Sequence, residues 1–204
     1  MTSKDPVQQY RDSYFDWSHA DLGKLLARDV VSRDYSSEFI AEFFQETKAS
    51  SPVDKALQVD SEIMLVDDPV KRVDNMTMAF GLEARVPFLD HEVVELAARI
   101  PAKLKVGGGG KYILKQAARK MLPAKVIDRP KGYFPVPSLR YLEGPFLTYV
   151  NDILTSEQAR SRGLYRPEFV DHMLRCPEAE MSPKGHSRLW QATVLEAWMQ
   201  AHGL

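Results

Sequence analysis

The chain has 204 residues, 44% of them hydrophobic, and carries 27 Lys plus Arg against 28 Asp plus Glu. That length buries one substantial core or two small ones, and the near-neutral balance argues against a dedicated nucleic-acid or anionic-membrane surface. A single cysteine, Cys176, excludes an intramolecular disulfide framework and a thiolate-cluster metal site, while the absence of a signal-peptide core or a run near the ~20 apolar residues of a membrane span makes the cytoplasm the expected compartment.

Along the chain the recurring pattern is helical. Ser36 and Ser37 stand before Phe39, Ile40, Phe43 and Phe44, a stripe that predicts a helix behind a hydroxyl N-cap. Ser51-Pro52 reads as the cap and first residue of the next helix, with Val53, Ala56, Leu57, Ile63 and Met64 on one face and Asp60 among them. Asp68-Pro69 repeats that pattern, so a further helix is expected to begin at Pro69 and to stop near Gly81. Asp90 is expected to cap HEVVELAARI, which Pro101 ends. Ile113, Leu114, Ala117, Ala118 and Met121 form another stripe, and the last helix is expected to turn Leu189, Trp190, Val194, Ala197 and Trp198 inward. No strand alternation emerges, and the expected class is mainly α.

Two stretches interrupt the helices. VGGGG, residues 106–110, is expected to be an irregular loop; a phosphate cradle would need a strand before it and Gly-Lys-Ser/Thr after it. DRPKGYFPVP, residues 128–137, holds three prolines and a glycine around Arg129 and Lys131, an extended path stiff enough to aim a side chain. The cations Lys111, Lys115, Arg119 and Lys120 read as a solvated helix face. His19, His91, His172, His186 and His202 show no metal-ligand spacing.

The run LVDDPVKRVDNMTMAFGLEARVPFLDHEVVELA, from Leu65 to Ala97, resembles the signature of the asparagine synthetase C-terminal domain, and GKYILKQAARKMLPAKVIDRPKGYFPVP resembles a downstream stretch of the same family in the expected order. YLEGPFL and the Trp-rich terminal helix are similar to the branch that amidates the dipeptide N-acetylglutaminylglutamine. The resemblance implies the C-terminal helical portion of an adenine-nucleotide-α-hydrolase-like (ATP pyrophosphatase) synthetase domain, lacking the parallel sheet. Residues 1–204 would form a partial domain: a helical N-terminal segment (1–50), the signature region (51–137) and C-terminal helices (138–204).

The implied chemistry is an ATP-dependent amidation, in which a substrate carboxylate becomes an acyl-adenylate and ammonia released from glutamine attacks it. Such a reaction needs cations facing the phosphates and carboxylates holding Mg2+, because negative charge builds on the leaving pyrophosphate. The resemblance assigns Asp68 and Asp67 to the metal. It assigns Lys131 to catalysis and to the nucleotide phosphates, with Arg129 as helper. Outside the motif, Asp68 before a proline would be read as an N-cap. Asp60 and Asp74 are expected to be buried partners of Arg72 or Arg85, and Arg85 and Asp90 to brace the EARVPFLD loop, all five in structural roles.

The family's Ser-Gly-Gly-x-Asp-Ser ATP loop does not occur in the sequence, nor does the cysteine it places at position 2 for glutamine cleavage. Tight binding of ATP and Mg2+ is therefore expected of a complete enzyme, and the isolated chain is expected to be inactive. The expected partners are the glutaminase and ATP-loop portions, or a second copy in a homodimer, since helix faces without their sheet need cover. The alternative is a non-catalytic helical module that binds a protein partner.

Overall fold

The computed structural model describes residues 5–27, 30–130 and 142–204. Asp5 accepts from the Val7 N–H and opens α1 (Pro6–Tyr14); Ser18 accepts from the Asp21 N–H and opens α2 (His19–Leu25). The cap of α3 (Tyr35–Glu46) corrects the sequence reading. It is Asp34, whose Oδ1 accepts from the Ser37 N–H at 3.1 Å while the Ser36 and Ser37 hydroxyls donate to the same carboxylate. A carboxylate accepts more bonds than a hydroxyl and brings the negative charge that a helix start favours. Ser51 caps α4 (Pro52–Val59) as expected, accepting from the Asp54 N–H at 3.0 Å.

No new helix starts at Pro69. The chain stays helical through two π stretches, Asp60–Met64 and Val66–Val70, and runs directly into α5 (Lys71–Met78). In an α-helix Pro69 would lack its N–H and press its ring on the Leu65 carbonyl. The wider π turn relieves this, with the Lys71 N–H reaching back to the Val66 carbonyl. Asp68 is thus an interior residue of the turn and makes no side-chain cap. The run ends where Gly81 takes φ 68°: the Gly81 N–H donates to the Met78 carbonyl and the Leu82 N–H to that of Thr77.

After a 3-10 turn at Pro87–Leu89, Asp90 caps α6 (His91–Arg99) by accepting from the Glu92 N–H at 2.9 Å. Then follow α7 (Ala102–Val106), the glycine run with three successive left-handed residues, Gly108 to Gly110, and α8 (Tyr112–Ala118) and α9 (Ala124–Ile127). The last four helices are α10 (Gly144–Leu154), α11 (Glu157–Arg162), α12 (Pro167–Arg175) and α13 (Arg188–Ala201). Among the described residues there is no strand, only two isolated bridges, and the chain is mainly helical.

The described residues divide into two compact units: one runs to Glu38 and resumes at Leu142, the other runs from Phe39 to Pro130. In the first, Val150, Met173 and Leu189 are fully buried among Leu25, Leu142, Leu154, Tyr165, Val170 and Ala192. Backbone bonds from Ala27 to Leu164 and from Arg166 to Leu25 stitch α2 to the start of α12. The inward face of α13 differs from the predicted one. Leu189, Ala192, Thr193 and Glu196 are buried, whereas Val194 and Trp198 are about half exposed. Glu196 takes a core position because Arg162 forks onto it at 3.2 and 3.3 Å and Gln200 donates at 2.9 Å, so its charge is fully partnered. Burial in the same core pushes the Tyr165 phenol above its usual range.

The second unit buries few side chains completely, Ile40, Phe44 and Val59 among them. Lys105 reaches Asp54 at 2.7 Å and ties α7 to the start of α4. Many of its large apolar side chains face outward, from Phe80 at 90% exposure to Met121 at 79% and Phe88 at 69%.

Candidate functional site

The acidic pair sits on the π turn that Pro69 imposes. Asp67 and Asp68 are both exposed, on consecutive positions of a stretch that is helical on either side. Successive residues of a π turn are separated by a smaller rotation than in an α-helix, so the two carboxylates open toward a narrower sector. Arg72, one turn on, donates from Nη2 to Asp68 Oδ2 at 3.0 Å. Both side chains of that pair are well exposed, and such a pair is weak enough to yield to a stronger cation.

Arg72 therefore engages Asp68, where the sequence suggested Asp60 or Asp74. Asp74 is exposed on α5 and Asp60 is partly buried at the start of the first π stretch. Arg85 bonds inside the EARVPFLD loop, to its first residue and not to Asp90. It pairs with Glu83 at 3.1 Å, itself exposed, while Asp90 serves as the cap of α6. The physical reason is proximity: Glu83 lies two residues away and needs no ordering of the loop, whereas Asp90 is already engaged by the helix start.

Of the two cations in the Arg-Pro-Lys-Gly segment, Arg129 is exposed and Lys131 lies outside the described residues. No hydrogen bond or ion pair among the described residues joins Arg129 to Asp67 or Asp68. Just before it stands a feature that pattern reading did not find. Arg119, at the end of α8, forks onto Asp128 with Nη1 to Oδ2 at 2.9 Å and Nη2 to Oδ1 at 2.7 Å. The fork holds the Asp128 carboxyl below its usual range and raises the Arg119 guanidinium, with Lys115 adding to the effect on Asp128. Arg119 is thus not simply part of a solvated face. The sequence signal is only a cation and an anion nine residues apart, and the Pro123 turn between them is what brings them together.

A second polar cluster lies in the first unit. Asp16 Oδ2 meets His186 Nδ1 and the Gln191 amide, each at 2.7 Å, and Arg188 donates to Asp21 at 2.9 Å while stacking over Trp17. These bonds tie the α1–α2 connection to the start of α13 and read as architecture. No group of three or more His, Cys, Asp or Glu among the described residues is arranged to hold a metal ion, and no helix there is long and apolar enough to cross a membrane.

The family model described as asparagine synthase matches residues 3–200. The chain is 31% identical over 157 residues to the glutamine-hydrolysing asparagine synthetase 1 of Bacillus subtilis (strain 168), covering 76% of this chain and 24% of that protein. It is 32% identical over 188 residues to a putative glutamine-hydrolysing asparagine synthetase of Mycobacterium tuberculosis (strain ATCC 25618 / H37Rv), covering 90% and 25%. The chicken (Gallus gallus) asparagine synthetase is 36% identical over 112 residues, or 52% of this chain and 20% of its own length. The chain spans about a quarter of the length of the first two relatives. No solved structure matches it.

Proposed function

The chain belongs to the asparagine synthase family, and we propose that it supplies the helical part of a glutamine- and ATP-dependent amide ligase acting in the cytoplasm. The observation that carries this reading is the family match itself, which runs over residues 3–200 and takes in both the acidic turn and the Arg129 segment. In the proposed enzyme a substrate carboxylate is adenylated and ammonia displaces AMP from it. The amidated substrate we favour is N-acetylglutaminylglutamine, on the likeness of YLEGPFL and the terminal helix to that branch.

Asp67 and Asp68 fit Mg2+ chemically, because this hard cation takes oxygen ligands and is commonly held by one or two carboxylates together with substrate phosphates and water. When bound, the ion would neutralise charge on the leaving pyrophosphate. Two carboxylates leave the remaining positions to phosphates and water, so tight binding of ATP and Mg2+ is proposed for the complete enzyme, assembled with glutaminase and ATP-loop portions. Lys131 would face the phosphates with Arg129 beside it. The test is Lys131→Ala in that enzyme: amide synthesis should fall about 10²- to 10³-fold, the usual cost of losing one charge-stabilising donor, while glutamine hydrolysis continues. Near-normal synthesis would remove Lys131 from the role.

One observation favours a second reading, a non-catalytic helical module that binds a protein partner: the outward apolar side chains of the second unit. Pyrophosphate release on mixing the chain with an ATP-loop portion separates the two, since a module of that kind would give none.

A further inference from the structure

We propose that Arg119 is a positioning residue for Arg129. The inference rests on the reading above, in which Arg129 assists adenylation. Arg119 follows the last residue of α8 and Asp128 follows the last residue of α9, so the fork between them locks one helix end to the other. Two parallel N–H···O bonds fix orientation as well as distance, which a single ammonium contact would not. Asp128 is held a second time by its own backbone, its N–H donating to the Ala124 carbonyl at 2.8 Å.

Arg129 is the next residue, and Pro130 follows it. The proline ring restricts the residue before it to extended backbone conformations. Arg129 thus lies between an anchored residue and a stiff one, and no hydrogen bond or ion pair to another described residue engages its exposed guanidinium. Among the described residues, the fork and the ring are therefore what restrain its backbone. No described residue competes for the cation, which can meet a phosphate from a backbone already restrained, the arrangement that a charge-stabilising group requires.

The test is a double-substitution cycle in the complete enzyme, reading amide synthesis, with glutamine hydrolysis and thermal unfolding as controls. Arg129→Gln should lower kcat for synthesis by roughly 10²-fold. Arg119→Gln should lower it by up to about 10²-fold, the cost of misplacing a group by about an ångström, with KM for ATP little changed. The double variant should be no slower than Arg129→Gln alone, because a residue acting through Arg129 then has nothing left to position. Exchanging the charges, Arg119→Asp with Asp128→Arg, should recover much of the rate. Should Arg119→Gln fail to fold, Asp128→Asn breaks the same fork and enters the same cycle. Losses that multiply in the double variant, or a silent Arg119→Gln beside an impaired Arg129→Gln, overturn the inference and leave Arg129 in its role. A silent Arg129→Gln overturns that role and the positioning with it.

Discussion

Asp68 is the residue where local structure most sharpens the functional test. Because it lies inside a continuous helical run and makes no cap, Asp68→Asn removes charge without removing, among the described residues, a structural bond other than the exposed contact with Arg72. In the complete enzyme it should raise the Mg2+ concentration for half-maximal pyrophosphate release at least tenfold, roughly the lower end of the cost of disturbing a metal's ligand environment, with the unfolding temperature unchanged. Superimposable Mg2+ curves for the two proteins would take the metal away from Asp68. Asp21 offers a test of a different kind, on stability. Its carboxyl is held down to about 2, first by the hydrogen bond from Lys24, then by Ser18 and Arg188, from an ordinary value of 3.8. A depressed folded-state pKa gives stability that is complete above the unfolded value and is lost as pH falls through the folded one. Urea midpoints measured between pH 5 and pH 2 should therefore fall less steeply for Asp21→Asn than for the parent chain, and parallel curves would refute the assignment.

At the scale of the element, what could be read in advance depended on how far each interaction reaches along the chain. The Ser51 and Asp90 caps were legible because cap and N–H lie two or three residues apart. The Asp34 cap was missed by two residues because hydroxyls and carboxylates both suit that position and only geometry ranks them. Pro69 misled more seriously: proline usually marks a helix start, and nothing in the pattern shows that a π turn absorbs it in mid-helix. The inward face of α13 was missed because Glu196 reads as a surface residue until Arg162, 34 residues earlier, is seen to fork onto it. The carboxylates and cations proposed for the site were suggested only by family likeness, since no periodicity distinguishes Asp68 from any other exposed acid. The Glu196 clamp gives a quantitative expectation. Glu196→Ala leaves the mostly buried Arg162 guanidinium unpaired, and breaking one half of such a pair costs about 3–5 kcal/mol. Urea unfolding of the variant should show that loss, and the companion Arg162→Met should cost at least as much, because it leaves the fully buried Glu196 carboxylate with only the neutral bond from Gln200 among the described residues.

For the whole molecule, the contrast between the two units in how they hide apolar surface is the main physical fact. The first builds a closed core around Val150, Met173 and Leu189. The second leaves Met76, Phe80, Leu82, Phe88, Leu96 and Met121 each more than 60% exposed, although single proteins seldom expose large apolar patches unless they serve as interfaces. Burial is worth about 25 cal/mol for each Å² of apolar surface removed from water, so side chains of this size supply a strong drive toward any surface that covers them. The chain spans only about a quarter of the length of relatives such as the Bacillus subtilis and Mycobacterium tuberculosis proteins, and the ATP-loop portion is the cover proposed above. Kept alone, the chain is expected to use a second copy of itself. Sedimentation velocity should show a dimer whose fraction grows with concentration, and Phe80→Asp combined with Met121→Lys should return it to monomer with its helical circular dichroism intact. Adding the ATP-loop portion should have the same effect as the double substitution, because both remove the apolar surface that the dimer uses. A chain that stays monomeric at every concentration and binds no hydrophobic dye would show that these side chains need no cover, and the second unit would then have to be stable through its local helical contacts alone.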